Sequence, residues 1–241
     1  MEWFESWFDT PYYHLLYSNR DYTEAENFIT KLTKELRLPT SSTIIDLACG
    51  KGRHSVFLNR LGYKVLGLDL SKQSIEHNKQ FENETLHFKV HDMRDIIDSE
   101  PVDAVFNLFT SFGYFDNEKD DKSVFQSVYN SLKPGGFFVL DYLSEEFVRA
   151  TLVPETTIHR EGIDFKITKK IENRHVIKDI RFEAEGKSYH FFEKVKLHTL
   201  ETINSYATEC GFERIKIWGD YHLSDFNAEK SPRCINLFKK K

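Results

Sequence analysis

The sequence predicts an α/β protein: a mostly parallel sheet with helices on both faces, into which an antiparallel β-meander is inserted late in the chain. Three observations predict it. Short apolar runs alternate with helical stripes as far as about residue 142. One of these runs, Ile44–Leu47, passes through a glycine turn (Gly50-Lys51-Gly52) directly into a helical pattern. From Val153 the hydrophobic period changes to two.

The elements follow in order. The first 22 residues are dense in aromatics (Trp3, Phe4, Trp7, Phe8, Tyr12, Tyr13, Tyr17 and Tyr22), and Pro11 breaks any long helix there. A short helix and a second one around Tyr12–Tyr17 are expected, laying rings against the domain. Ala25, Phe28, Ile29, Leu32 and Leu36 form a helical stripe that Pro39 ends. After the glycine turn come strands Lys64–Leu70, Leu86–Val90 and Val102–Leu108, then a helix over Val124–Leu132. The turn Lys133-Pro134-Gly135-Gly136 hands the chain to a fifth strand, Phe137–Tyr142. In the meander Ile163, Phe165, Ile167 and Ile171 alternate, as do Ile180 with Phe182, and Tyr189, Phe191, Val195 and Leu197. Asn173-Arg174 and Glu185-Gly186-Lys187 read as its turns. A helix over Thr199–Cys210 stops at Gly211, and Phe212–Gly219 with Cys234–Lys239 completes the sheet as a hairpin-like pair. The expected division is therefore a main domain of residues 1–152 and 198–241, and an inserted β subdomain of residues 153–197. The subdomain's apolar face needs a partner, so it serves as a lid over the site or as a subunit interface, which would make a homodimer.

Composition narrows the function classes. At 241 residues, 40% hydrophobic and 29% charged, the chain can bury a sizeable core. A net charge of −5 without a basic run before Lys239-Lys240-Lys241 argues against an extended nucleic-acid face. Cys49, Cys210 and Cys234 have neither metal-ligand spacing nor an even count, so reduced thiols, no metal and a cytoplasmic setting are expected. No stretch approaches the roughly 20 apolar residues of a membrane span. The N-terminus has no signal-peptide pattern.

Three acids stand at strand ends. Asp46 would repel the pyrophosphate that a dinucleotide places over this turn. It suits a ligand that is positively charged there, such as the ammonium or sulfonium of S-adenosylmethionine; otherwise it caps the next helix or hydrogen-bonds the turn. Asp69 lies 19 residues beyond Gly50, where this layout places a carboxylate on a ribose diol. Its plainer role is the N-cap of the following helix. Asp92 with Met93 could hold an adenine edge and face, or be a turn acid followed by a core methionine.

With these residues in view, the chain resembles the class I S-adenosylmethionine-dependent methyltransferases. The likeness runs over nearly the whole length. It includes Asp46-Leu-Ala-Cys-Gly-Lys-Gly-Arg53, Gly67-Leu-Asp69-Leu-Ser71, His91-Asp92-Met93-Arg94, Leu132-Lys-Pro-Gly-Gly136 and Cys210-Gly-Phe212. The run Asn107–Phe115, and Gly219-Asp220-Tyr221 with Ser231-Pro232-Arg233, look similar to bacterial small-molecule N-methyltransferases. The resemblance implies a Rossmann-like seven-stranded sheet whose last strand is antiparallel. It implies S-adenosylmethionine as cofactor, with Asp46, Ala48, Gly50, Gly52 and Arg53 around its methionine part. Asp69 and Leu70 would hold ribose and adenine, Asp92 and Met93 the adenine, and Asn107 the floor near the sulfonium. The fourth strand ends Asn107-Leu108-Phe109-Thr110, without the Asn/Asp-Pro-Pro-Tyr/Phe motif of enzymes that methylate base amines or glutamine.

Methyl transfer from a sulfonium needs alignment and exclusion of water more than it needs activation. Tyr13, Tyr17, Phe112 and Tyr114 are the candidates for an aromatic wall that favours a cation beside the reacting methyl. Arg233 could pair with an acid group of the substrate, or with a neighbour at the strand edge. No side chain is singled out as catalytic base. The expected function is methyl transfer to a small-molecule acceptor, an amine first. A nicotinamide-dependent oxidoreductase, a non-catalytic cofactor-binding protein and an RNA methyltransferase are the alternatives.

Overall fold

The computed structural model describes residues 3–18 and 22–241. The N-terminal helices α1 (Trp3–Trp7), α2 (Pro11–Leu16) and α3 (Tyr22–Glu35) precede the alternating part. There follow β1 (Thr43–Leu47), α4 (Arg53–Arg60), β2 (Lys64–Asp69), α5 (Lys72–Asn78), β3 (Leu86–Val90) and β4 (Val102–Asn107). Next come α6 (Glu118–Ser131), β5 (Leu132–Leu143) and α7 (Glu145–Thr151). The meander is β6 (Glu155–Arg160), β7 (Ile163–Glu172), β8 (His175–Ala184) and β9 (Lys187–Lys196). The chain closes with α8 (Leu200–Cys210), β10 (Phe212–Trp218) and β11 (Arg233–Lys240).

The main sheet has the order β10-β11-β5-β4-β1-β2-β3. Its ladders are parallel except at β11, which runs antiparallel to both β5 and β10. This is the mostly parallel sheet that the strand and helix pattern predicts, and the seven-stranded Rossmann-like sheet with one antiparallel strand that the resemblance implies. β1 and β4 are apolar because helices cover both of their faces. The chain leaves β1 toward β2 and β3, then crosses back to lay β4 on β1's other edge. A crevice therefore opens where the carboxyl ends of β1 and β4 diverge.

The meander forms its own four-stranded antiparallel sheet, order β6-β7-β8-β9. The apolar face expected to need a partner is covered by the chain's own N-terminal helices. Trp7 is 1% exposed and stacks on Phe191 at 4.5 Å, while Leu16 packs with Phe165, Ile167, Ile180 and Phe182. Burying one such side chain is worth about 1.5–3 kcal/mol, enough to dock two helices too short to persist alone. The small sheet is tied to the main domain at its end. The Lys196 N–H donates to the Gly113 carbonyl at 2.8 Å, and the Tyr142 hydroxyl to the Lys196 carbonyl.

Two features were not read from the sequence. α7 follows β5 directly, and β10 is joined to β11 by a long loop through Asp220 and Ser231. Asp220 accepts N–H groups of His222 and Ser224 within that loop. No helix among the described residues is long and apolar enough to cross a membrane.

Candidate active site

The turn after β1 is left-handed at Ala48, Gly50 and Gly52, with φ of 61°, 53° and 74°. Gly50 faces open space: a Cβ there would meet nothing within 4 Å, so a ligand can approach the backbone. Gly52 is glycine for packing, since its Cβ would press on Phe88 and Asn78 at 3.0–3.1 Å. It caps α4 without a side-chain hydrogen bond, so the helix's first N–H groups remain for a ligand anion.

Asp69 is fixed at the end of β2. Its carboxylate accepts the Gly50 N–H and the Ser71 N–H, each at 2.8 Å. Burial raises its pKa and these two donors oppose the shift. An ionised carboxylate has about four acceptor positions, so two remain for a vicinal diol. Ser71 rather than Asp69 caps α5, which decides against the plainer role. Asn78, a residue sequence reasoning missed, is fully buried and donates from Nδ2 to the Gly50 carbonyl at 2.7 Å. It pins the turn from beneath.

A cavity of about 800 Å³ opens over this turn, roofed by α1 and α2 through Phe4, Phe8, Asp9 and Tyr13. Ala48, Gly50, Arg53, Asp69, Leu70, Asp92 and Met93 line it, as do Tyr13, Tyr17 and Tyr114. Asp92 takes the Arg94 guanidinium at 2.6–3.1 Å, which keeps its pKa low despite burial. His14 also lines the cavity; burial, and then the Lys51 charge, lower its pKa to about 4, so it stays neutral near pH 7.

Four of the expected contacts fall elsewhere. Asp46 is 1% exposed and does not line the cavity; it accepts the Ser55 hydroxyl at 2.6 Å. Burial pushes its pKa up to about 6, with Asp69 adding to the shift and Ser55 opposing it. Asn107 is wholly buried beneath the floor and donates to the Leu47 carbonyl at 2.9 Å. Gly52 likewise sits behind the lining. Phe112 is not part of an aromatic wall: it is fully buried against Phe125, Tyr142 and His198.

The wall is made instead by Phe109, which the sequence reading passed over. Phe109 stacks on His54 at 4.9 Å and on Tyr221 at 4.7 Å, with the Arg53 guanidinium 4.9 Å from its ring centre. Phe109 and Thr110 both have positive φ, 60° and 63°. Their conformation is held by Asp141, which accepts the Phe109 N–H at 2.7 Å on its side chain and the Thr110 N–H at 3.2 Å on its carbonyl. Arg233 completes this network, donating to Asp141 at 2.6–2.7 Å and to the Thr110 hydroxyl at 2.7 Å. Burial works against the Arg233 charge; Asp141 and Tyr221 more than restore it. Its pairing groups are thus committed to the protein, and the strand-edge alternative is the observed one.

Beyond Phe109 lies a second cavity of about 600 Å³, between the main domain and the meander. Phe8, Tyr13, Tyr17, Phe109 and Tyr114 line both cavities and partition them. At the partition the Tyr17 hydroxyl donates to the Glu193 carboxylate at 2.7–2.9 Å and accepts from the Lys178 ammonium. Trp7 Nε1 donates to the same carboxylate at 2.9 Å.

Comparison with known proteins agrees with this geometry. A methyltransferase-domain family model matches residues 44–136. A glycine/sarcosine N-methyltransferase of Halorhodospira halochloris is 31% identical over 228 residues, covering 88% of this chain and 80% of that protein. The chain belongs to the class I S-adenosylmethionine-dependent methyltransferases. A dTDP-3-amino-3,4,6-trideoxy-α-D-glucopyranose N,N-dimethyltransferase of Streptomyces venezuelae is 28% identical over 78% of this chain and 81% of that one. The fold matches an S-adenosylmethionine-dependent methyltransferase of Clostridium acetobutylicum with a TM-score of 0.80, at 20% identity over 95% and 96% of the two chains. The nicotinamide, binding-protein and RNA alternatives are not favoured by these relatives.

Proposed function

We propose that this methyltransferase acts on the nitrogen of a small-molecule amine seated in the second cavity. The carrying observation is the pair of adjoining cavities separated only by an aromatic partition at the end of the glycine-turn crevice. S-adenosylmethionine supplies an activated methyl group on a sulfonium. The residues present fit it: a carboxylate with free acceptor positions at Asp69, a turn at Gly50 that admits close approach, and an uncapped helix end at α4. Asp69 would hold the ribose, Leu70 and Met93 the adenine faces, and Asp92 its edge. Gly50, Ala48 and Arg53 would surround the amino-acid end.

The remaining work falls to this chain's own side chains. Phe109, Tyr13 and Tyr114 exclude water and turn π-faces toward a cation without offering a nucleophile. An ammonium must lose a proton before it can attack. Tyr17 is placed to accept that proton while passing its own to Glu193. Names of the relatives support nitrogen as the acceptor atom, among them glycine/sarcosine and amino-sugar N-methyltransferases. We further read the meander, residues 153–197, as the wall and lid of the acceptor cavity, and the protein as cytoplasmic with reduced cysteines. A dimer would have to use a surface other than the meander face that α1 and α2 cover.

The test is a panel of small amines, alcohols and thiols incubated with S-adenosylmethionine, reading S-adenosylhomocysteine and the methylated product. N-methylated product from at least one amine is expected. Methylation confined to oxygen or sulfur would overturn the nitrogen reading.

A further inference from the structure

On β7, β8 and β9 three transverse rows of the inward face are apolar, and a charged row lies among them. Phe165, Phe182 and Tyr189 pack together in one row, and Ile167, Ile180 and Phe191 lie opposite one another in the next. Ile171, Val176 and Val195 form the last. Between them lies Lys169 on β7, directly opposite Lys178 on β8, which is directly opposite Glu193 on β9. These are the inward positions that interrupt the alternation Phe165-x-Ile167-x-x-x-Ile171 and its counterparts on β8 and β9. All three residues line the second cavity.

Such a row is costly for folding. Two like charges directly opposite on adjacent strands repel, and charged groups on a covered apolar face lose hydration. The row is only partly neutralised from within. Glu193 lies 3.4 Å from the Lys178 ammonium and is itself fixed by Trp7 and Tyr17. Among the described residues no hydrogen bond or ion pair engages the half-buried Lys169 side chain. The cavity's third cation, Arg233, is neutralised by Asp141. Among the described residues, Lys169 thus leaves one positive charge on the cavity wall. Among the described residues the remaining acid of the lining, Glu24 of α3, is exposed to water on the main-domain side. The wall therefore suits a ligand of mixed charge, with one acidic group toward the meander.

We propose that Lys169, with Lys178 beside it, is the recognition point for an acidic group, carboxylate or phosphate, carried by the amine acceptor. The proposal rests on the reading that the second cavity holds an amine. The acid anchors on β7 and β8, and the amine reaches back to the partition at Tyr17. Lys169 and Glu193 stand two strand spacings apart, about 10 Å at the backbone. An acceptor of a few atoms can span from one to the other once the long side chains converge.

The experiment has two arms. In the first, S-adenosylhomocysteine-loaded protein is titrated with acetate and with inorganic phosphate, following backbone amide resonances. Saturable shifts centred on β7 and β8 are expected for one of the two anions, which identifies the acid. Lys169→Met should weaken that binding about tenfold, and Lys169→Arg should retain it within about threefold. Absence of saturable shifts at β7 and β8 with either anion, or equal binding by Lys169→Met, overturns the proposal. In the second arm, methyl transfer is compared within pairs that differ by the acid group: methylamine with glycine, and ethanolamine with phosphoethanolamine. The acid-bearing member should be favoured about tenfold in kcat/KM, and Lys169→Met should abolish the preference while S-adenosylhomocysteine binding persists. Turnover indifferent to the acid group sinks the proposal and leaves the amine reading intact. Anion binding that depends on Lys169, with no amine methylated, does the reverse.

Discussion

The two cavities are built by different kinds of contact. The cavity over the glycine turn, proposed to hold the donor, is held by short-range backbone hydrogen bonds at strand ends: the Asp69 carboxylate meets Gly50, 19 residues away, and Ser71, two away. The second cavity, proposed to hold the acceptor, is held by side chains far apart in sequence. Tyr17 and Trp7 reach Glu193 across 176 and 186 residues, and Arg233 reaches Asp141 across 92. A local backbone cradle tolerates drift in the rest of the chain, whereas a cavity closed by distant side chains can be reshaped one residue at a time.

The largest expected effect falls on the seam between the halves. Arg233→Met leaves the Asp141 carboxyl buried without its ion-pair partner beneath the Phe109-Thr110 turn, two residues already in the left-handed region. Stripping one partner from a buried ion pair costs about 3–5 kcal/mol. Urea unfolding should show that loss. A loss under about 1 kcal/mol would mean that the guanidinium serves a ligand rather than the turn.

Asp69→Ala should act on the donor half alone. Losing the two ribose acceptor positions is expected to weaken S-adenosylhomocysteine by about 100-fold, near 2.7 kcal/mol, in a calorimetric titration. Acceptor-side variants such as Lys169→Met should leave that affinity unchanged. Equal damage from both would collapse the distinction between the cavities.

This contrast also explains what the sequence disclosed. Asp69, Gly50 and the strand ends were legible because strand, turn and acid lie within about 25 residues and their spacing is set by the geometry of one βαβ unit. Phe112 was misplaced because strand polarity alone does not say on which side a loop aromatic falls. Phe109 became the partition because Asp141, 32 residues on, captures its N–H. Asp46 kept its place at the strand end but does not line the cavity, since Ser55 of α4 takes its carboxylate. The meander's strands were readable from alternation, yet the gaps at Lys169, Lys178 and Glu193 carried information that periodicity discards. Only the sheet register shows that the three gaps form one row.

A pH measurement sharpens the view of Asp46. Its pKa moves from 3.8 unfolded to about 6 folded, so between those values the native state holds more protons than the unfolded one. Stability from this group is present at low pH and is lost as pH rises through about 6, by roughly 2–3 kcal/mol in all. Asp46→Asn keeps an oxygen acceptor for Ser55 and removes the titration. The stability difference between wild type and variant should shift in the variant's favour from pH 4 to pH 7 by about that amount. A difference that stays flat across this range would show that the carboxylate ionises freely in the fold.

The smallest effect probes the contact that joins the halves at the reacting group. Tyr17→Phe removes one hydroxyl from the carboxylate of Glu193, which retains Trp7 and Lys178. The stability loss should be near 1 kcal/mol, the ordinary worth of one hydrogen bond, and donor affinity should hold within about threefold. Turnover of an amine should fall about tenfold, because a water in the hydroxyl's place can still carry the proton to Glu193. The diagnostic readout is the pH profile. If Tyr17 relays the proton, raising pH restores the variant toward the wild-type rate, since the amine then arrives already neutral. If the ring merely packs α2 against the meander, the deficit stays constant with pH, and the proton path must leave the cavity elsewhere.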